Sequence, residues 1–151
     1  MDDFDRWTMV KRRISLKQTT PATSPKEREV WMCALGLNIG SEENGKGNNF
    51  QRPVLILKVF DSNMCWVIPL STKQKRIHYY YNFLEPTRTR ASAILSQLRL
   101  ISIKRLTIKL YDMPTRDFDR ICNKTAQYVR KAPYKTGIFK STLGNLNRFS
   151  H

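Results

Sequence analysis

Short apolar runs separated by turns dominate the middle of this 151-residue chain. The run PVLILKVF (53–60) is continuous and rich in β-branched residues, as a central strand is, and the turn DSN joins it to MCWVIPL (64–70). Further strand candidates are REVWMCALG (28–36), IHYYYNFL (77–84), ASAILSQLRLIS (91–102) and RLTIKLYD (105–112). Because no helical pattern separates these runs, they predict a mainly β antiparallel barrel or sandwich rather than an α/β fold.

Helical spacing occurs near the two ends of this β-rich region. An apolar stripe predicts a short N-terminal helix over residues 4–15, which we expect to pack on the domain or on a partner; it consists of Phe4, Trp7, Val10 and Ile14. A second helix is predicted from Pro114, with one face traced by Phe118, Ile121, Thr125, Tyr128 and Val129. The expected organisation is therefore an N-terminal helix and linker (1–27), a barrel domain (28–131) and a basic, flexible tail (132–151).

The charge of the chain is strongly unbalanced. It carries 27 Lys and Arg against 12 Asp and Glu, a formal net charge of +15. Such a surplus makes a nucleic acid the first partner to expect and an anionic membrane surface the second. No stretch is long and apolar enough to span a bilayer, and the acidic start MDDFDRW is unlike a signal peptide, so we expect a cytoplasmic protein.

The sequence offers little for a metal or redox site. Cys33, Cys65 and Cys122 are far apart and form no CxxC pair, so we expect them to be reduced and buried. In the span 45–111 the only acids are Asp61 and Glu85, against twelve Lys or Arg. Because metal-dependent hydrolysis needs clustered carboxylates, histidines or thiolates, we expect neither a metal nor another cofactor.

An arginine stands where a long polar loop (37–51) meets the central apolar run. Pro53 lacks an N–H, so we expect it at the first position of its strand, and it forces Arg52 into an extended backbone. If the runs 53–60 and 64–70 pair as a hairpin, Arg52 and Ser71 meet at the same rim. Arg52 alone is better explained by an exposed rim arginine; together with Ser71 it forms a candidate anion site.

Four blocks of the sequence stand in a distinctive order: EVWMCALGLNIGSEENGKGNNFQRPVLIL, WVIPLSTK, ILSQLRLISIKRL and the helix of residues 114–131. With their GSE, G…RPV and PLST elements, these blocks resemble the MazF/PemK family of toxin endoribonucleases across residues 28–131. The resemblance implies an SH3-like barrel of the CcdB/PemK type with a C-terminal helix. It also implies a homodimer that cuts single-stranded RNA without a metal.

The same resemblance assigns residues to roles. It implies Arg52 as the key catalytic residue and Ser71 in the catalytic Ser/Thr position. A loop holding Gly40, Ser41 and Glu42 would cover the site. The chain departs from the family pattern in a longer loop between Gly45 and Arg52, and in the extensions 1–27 and 132–151.

The chemistry suits these side chains. The 2′-hydroxyl of RNA attacks the adjacent phosphate through a phosphorane with extra negative charge, leaving 2′,3′-cyclic phosphate and 5′-hydroxyl ends. The guanidinium of Arg52 matches phosphate oxygens as a fork, and Ser71 donates a hydrogen bond. Preorganised donors of this kind are worth roughly 3–4 kcal/mol each. Because a guanidinium rarely loses its proton, we expect electrostatic stabilisation rather than proton transfer from Arg52.

Basic and polar residues around the candidate site are predicted to bind RNA, with a merely solvated basic face as the alternative. They are Lys46, Asn48, Thr72, Lys73, Lys75, Arg76 and Gln97. His78 has no second histidine in the core region, so a packed or rim histidine explains it better than acid–base catalysis.

The predicted function is the toxin of a type II toxin–antitoxin pair, restrained by an acidic antitoxin segment laid over the basic groove. Two alternatives remain open. A CcdB-like gyrase poison shares the barrel but does not cut RNA. A non-catalytic RNA-binding regulator would use the same groove to hold RNA intact.

Overall fold

The computed structural model describes residues 1–21 and 24–130. Seven strands form one antiparallel sheet, in the order β4-β5-β3-β2-β1-β7 with β6 added to β3. They are β1 (Glu29–Ala34), β2 (Gln51–Val59), β3 (Met64–Ser71), β4 (Tyr80–Leu84), β5 (Arg90–Ile94), β6 (Arg99–Ser102) and β7 (Leu106–Asp112). The described residues also form two α-helices, α1 (Asp3–Ser15) and α2 (Thr115–Val129). The mainly β fold with a short N-terminal and a C-terminal helix is confirmed.

The central strands pair as the sequence predicts. β2 and β3 form an antiparallel hairpin in which Val54 lies opposite Pro69 and Ile56 opposite Val67. β1 flanks β2 on its other side. β2 is therefore paired along both of its edges. Its alternate side chains enter two different hydrophobic cores, so its apolar run is also covered on both faces.

The predicted start of β2 is wrong by two residues. Pro53 is the third residue of the strand, and Arg52 already pairs with Cys33 of β1. On the β3 side the paired residues begin at Val54, so Pro53 stands at the end of that ladder. The pairing with β1 consequently places the backbone of Arg52 inside the sheet.

The segment 91–102, predicted as continuous strand material, is interrupted. A 3₁₀ turn (Leu95–Gln97) separates β5 from β6, and a second one (Ile103–Arg105) joins β6 to β7. β3 consequently pairs with β2 along one edge, and along its other edge with β6 in its first half and with β5 at its end. The second turn leads the chain from β6, which pairs with β3, to β7, which pairs with β1.

Helix α2 packs on one face of the sheet, although its predicted apolar face is only partly right. Ile121 and Thr125 are buried, and Phe118 packs against the core. Tyr128 and Val129, in the last turn of the helix, are exposed. Asp117 is buried instead, and accepts a 2.7 Å hydrogen bond from the hydroxyl of Tyr81.

Helix α1 packs on the barrel, as its apolar stripe predicts. Asp2 caps its N-terminus by accepting from the Asp5 N–H at 2.8 Å. Trp7 is buried, and a Cβ on Gly36 would lie only 2.4 Å from its ring. The Trp7 ring meets Phe50 edge to face at a centroid distance of 5.6 Å. α1 therefore depends on a glycine after β1 and on a phenylalanine just before β2.

The three cysteines are free, and two of them are buried as predicted. Cys33 and Cys65 are free and fully buried, and burial raises the pKa of the Cys65 thiol to about 11. Cys122 is free but only partly buried, unlike the prediction.

Within residues 1–21 and 24–130, no helix is both long and apolar enough to cross a membrane. The predicted tail (132–151) lies outside the described residues.

Replacing Trp7 with alanine should destabilise the protein, because the ring fills the space between α1 and the barrel. We expect the free energy of unfolding to fall by about 3 kcal/mol. Met9→Ala is the matched control on the same helix, since Met9 is 56% exposed; it should change stability by less than about 0.5 kcal/mol. Urea denaturation measures both, and equal effects of the two substitutions would show that α1 is not docked.

Candidate active site at the start of β2

The side chain of Arg52 is buried, not exposed at a rim, with only 8% of the residue accessible. Its Nε donates to the carbonyl of Asn44 at 2.7 Å, and its Nη1 donates to the carbonyl of Leu70 at 3.0 Å. Its Nη2 lies 2.6 Å from a carboxylate oxygen of Glu43. The guanidinium thus joins the end of β3 to the loop between β1 and β2.

The loop that contacts Arg52 is held in place by Gln97. The side-chain oxygen of Gln97 accepts from the Glu43 N–H at 3.1 Å, and its side-chain nitrogen donates to the Ser41 carbonyl at 2.8 Å. Asn38 adds a second tie by donating to the Glu43 carbonyl at 2.8 Å. The carboxylate of Glu43 is therefore presented to Arg52 by a loop clamped on two sides.

The second half of the loop, which makes it longer than the family pattern, forms a small hairpin of its own. Lys46 and Gln51 exchange backbone hydrogen bonds of 2.7 and 2.9 Å, which closes a small hairpin. A Cβ on Gly45 would lie 1.7 Å from the carbonyl oxygen of Phe50, so only glycine fits there. Phe50 is buried against Trp7 of α1. The extra loop residues and the N-terminal helix therefore pack on each other.

Arg52 and Ser71 line one pocket, of about 170 Å³. The β2–β3 register, continued from Val54 opposite Pro69, brings the two residues to the same level of the sheet. The Ser71 hydroxyl accepts from the Lys73 N–H at 3.1 Å, which leaves its own hydrogen free to donate into the pocket. A guanidinium and a hydroxyl are both donors that can bind phosphate oxygens.

The other predicted RNA-binding residues fall into three groups. Lys46 and Thr72 line the pocket with Arg52. Three more lie in the loop after β3, where they are exposed and do not line the pocket: Lys73, Lys75 and Arg76. Asn48 and Gln97 do not line it either, because Asn48 accepts from Arg6 of α1 at 3.0 Å and Gln97 holds the loop.

The predicted covering loop is shifted by a few residues. Gly40, Ser41 and Glu42 form a turn, in which Glu42 accepts from the Ile39 N–H at 2.7 Å. The residues that touch Arg52 are the two that follow, Glu43 and Asn44. The turn therefore supports the covering segment from outside.

Sequence reasoning missed two carboxylates. Glu43 pairs with Arg52. Glu85 lines the pocket and accepts from the Tyr111 hydroxyl at 3.2 Å; burial, and secondly the charge of Glu85, raise the pKa of Tyr111. The scarcity of acids in the span 45–111 was the one signal that pointed to Glu85. His78 lies elsewhere, with its Nδ1 3.0 Å from the Tyr128 hydroxyl.

A family model decides the relationship of the chain. The model for a PemK-like, MazF-like toxin of type II toxin–antitoxin systems matches residues 26–129. The chain belongs to this toxin family. Within the family match lie the sheet, α2 and the Arg52 pocket, whereas α1 lies outside it. No curated protein sequence matches the chain.

Solved structures agree with this family in their fold. MazF from Deinococcus radiodurans aligns with a TM-score of 0.58 and 13% identity, covering 70% of this chain and 96% of the other. An endoribonuclease from a mycobacterial species aligns with a TM-score of 0.55 and 14% identity, covering 73% and 96%. A mycobacterial endoribonuclease in complex with its cognate antitoxin aligns at 0.52 and 12%, covering 73% and 98%.

Gln97→Ala should free the covering loop, because it removes both hydrogen bonds of the clamp. We expect the Glu43 amide hydrogen to exchange about tenfold faster with solvent. Ser96→Ala is the matched control, since Ser96 is exposed on the same turn. Amide exchange followed by NMR measures both variants, and unchanged protection of Glu43 in Gln97→Ala would contradict a clamping role.

Proposed function

We propose that this family member is a metal-independent endoribonuclease that cleaves single-stranded RNA by attack of the 2′-hydroxyl. The observation that carries the proposal is the single pocket lined by both Arg52 and Ser71. Arg52 stabilises the charge that develops on the phosphorane, and Ser71 donates a hydrogen bond to the same group. The products are a 2′,3′-cyclic phosphate and a 5′-hydroxyl, and DNA is spared because it lacks the nucleophile.

The substrate phosphate must displace a resident anion. Three atoms of the guanidinium already bond the protein, and one of those bonds goes to the Glu43 carboxylate. A carboxylate and a phosphate offer paired oxygens of similar spacing to an arginine fork. Glu43 does not line the pocket itself, but it occupies Nη2 of Arg52 until RNA binds, while the two backbone carbonyls hold the other two guanidinium nitrogens.

The positive charge in and around the pocket also supports RNA as the substrate. Lys46 lines the pocket, and exposed basic residues in the loop after β3 stand beside it. Cationic side chains around a phosphate site draw a polyanion towards it. Lys46, Thr72 and the loop containing Lys73, Lys75 and Arg76 hold the flanking nucleotides in this scheme.

Two protein partners complete the proposal. Structural neighbours include an endoribonuclease in complex with its cognate antitoxin. By analogy, an acidic antitoxin segment covers the basic surface of this toxin and blocks the pocket. A second copy of the chain forms a homodimer, as the family resemblance implies.

Cleavage should depend on Arg52 and Ser71 and not on a metal. Long single-stranded RNA incubated with the protein in excess chelator should yield fragments with cyclic-phosphate ends. Arg52→Ala should lower the cleavage rate by at least about a hundredfold, and Ser71→Ala by about tenfold to a hundredfold, because each removes a donor to the transition state. End-group analysis and gel quantification of the fragments measure these effects.

The other possible results of this experiment support a different function. Intact RNA that stays bound identifies the non-catalytic regulator, and intact RNA with inhibited gyrase identifies the CcdB-like poison. Cleavage that survives in Arg52→Ala would exclude the pocket as the active site. Arg116→Ala, an exposed position on α2, controls for the loss of one positive charge.

Glu43→Gln should make the enzyme faster at low RNA concentration. The neutral amide keeps the size of the side chain but competes less strongly with phosphate for Arg52. We expect kcat/KM to rise about fivefold, equivalent to about 1 kcal/mol. Asp119→Asn removes one exposed negative charge on α2 and should leave kcat/KM unchanged. A fall in kcat/KM for Glu43→Gln would show that Glu43 aids catalysis instead of occupying the phosphate position.

A further inference from the structure

A second groove lies between α1 and the sheet. It has a volume of about 220 Å³, and its apolar floor consists of Val10 and Ile14 from α1 and Ala34 from β1. Trp7 and Phe50 hold the helix against the barrel beside it. Because α1 lies outside the residues that match the family model, this groove is an addition to the common toxin fold.

The rim of the groove is basic. Arg13 and Lys17 line it from the α1 side, and Lys104 and Arg105 line it from the turn before β7. None of the lining residues, all of which belong to the described part of the chain, is acidic. The groove therefore presents four positive charges around an apolar floor.

Backbone carbonyls orient three of these four cations. Lys17 Nζ donates to the carbonyl of Leu106 at 3.2 Å, and Lys104 Nζ donates to the carbonyl of Ser15 at 2.9 Å. Arg105 donates to backbone carbonyls at the end of β1. Carbonyl bonds fix the positions of the charged groups but do not neutralise them, so the positive potential of the groove is left for a ligand.

The surroundings of Arg105 show the same excess of charge. Burial, and secondly the positive charge of Arg99, hold its pKa below the usual value. Its guanidinium also stacks 5.5 Å from the ring centroid of Trp7. A partly buried arginine with cationic and aromatic neighbours gains most from an added anion.

The groove and the Arg52 pocket share one lining residue. Gln51, the first residue of β2, lines both cavities. Asn49 and Thr107 lie in the same groove, and the Gln51 side chain donates to Thr107 at 3.4 Å. These side chains offer both donors and acceptors, which base edges and ribose hydroxyls require.

We propose that the groove under α1 binds the single-stranded RNA segment adjoining the scissile phosphate. The inference rests on the proposed function, because it places the scissile phosphate at Arg52. The four cations contact backbone phosphates, the amide side chains contact base edges, and the floor of Val10 and Ile14 accepts one base. Because Gln51 borders both cavities, a strand that reaches from the Arg52 pocket into the groove is favoured over an acidic peptide, which would need no amides along this path.

The binding test uses the full chain carrying Arg52→Ala, so that RNA stays intact. Fluorescence anisotropy compares oligouridines of about 4 and about 16 nucleotides, the range of single-strand site sizes. Arg13→Glu should weaken binding of the longer RNA about tenfold and flatten its salt dependence, because one phosphate contact is lost. Binding of the shorter RNA should weaken by a smaller factor, since about four nucleotides reach fewer of the four cations of the groove.

Arg12→Glu is the matched control. It makes the same charge change one residue away, in the last turn of α1, at an exposed position that does not line the groove. It should leave binding of both RNAs unchanged within about twofold. Circular dichroism of both variants checks that α1 is retained.

Three results would overturn the inference. Equal weakening by Arg12→Glu and Arg13→Glu would indicate charge attraction without a site. No weakening by Arg13→Glu would show that RNA leaves the groove empty. Polyglutamate that binds through Arg13 while the longer RNA does not would assign the groove to an acidic protein segment.

The inference and the proposed function fail separately. If Arg13→Glu does not weaken RNA binding while the protein still cleaves RNA, only the inference about the groove fails. If RNA binding depends on Arg13 while the chain without Arg52→Ala cuts no RNA, the groove stands and the nuclease proposal falls.

Discussion

A buried guanidinium organises one end of this barrel. Arg52 is 8% exposed, and its bonds to Asn44, Leu70 and Glu43 satisfy a charge that burial would otherwise make costly. Those three partners belong to two different segments, the end of β3 and the loop before β2. The arginine consequently ties the loop to the sheet, and the position of the loop in turn determines whether the arginine is open to an anion.

The loop has its own supports, and they reach the N-terminal helix. Gln97 clamps its first half, and the contact between Gly45 and Phe50 shapes its second half. Phe50 packs on Trp7 of α1, outside the region that matches the toxin family. A helix added to the family fold thus stabilises the loop that carries Glu43. It also forms one wall of the basic groove beside the pocket.

Glu43 gives the proposed enzyme two states. In the present conformation its carboxylate pairs with Arg52, so the guanidinium is aimed but occupied. Substrate phosphate competes for the same nitrogen atoms, and the exchange costs little because one ion pair replaces another. The same arrangement limits reaction with stray anions, since a small anion gains no help from the basic loop after β3 or from the groove under α1.

Local pattern determined most of the fold. The strands of the central hairpin, α2 and the docking of α1 follow from apolar periodicity and from turn residues, which act over a few positions of the chain. The closeness of Arg52 and Ser71 was also predictable, because an antiparallel hairpin brings its two outer ends together. What periodicity could not give was the start of β2 before Pro53, since pairing with β1 depends on a strand distant in sequence.

Tertiary structure alone decided the state of the site. Nothing local to Glu43 or Gln97 marks one as the partner of Arg52 and the other as the clamp of a loop 54 residues away. Glu85 enters the pocket from β4, and the basic groove forms only when α1 settles on the turn before β7. Side-chain type and strand order are written in the sequence. Which charge meets which depends on long-range packing, because Coulomb and hydrogen-bond energies follow distance in space and not separation along the chain.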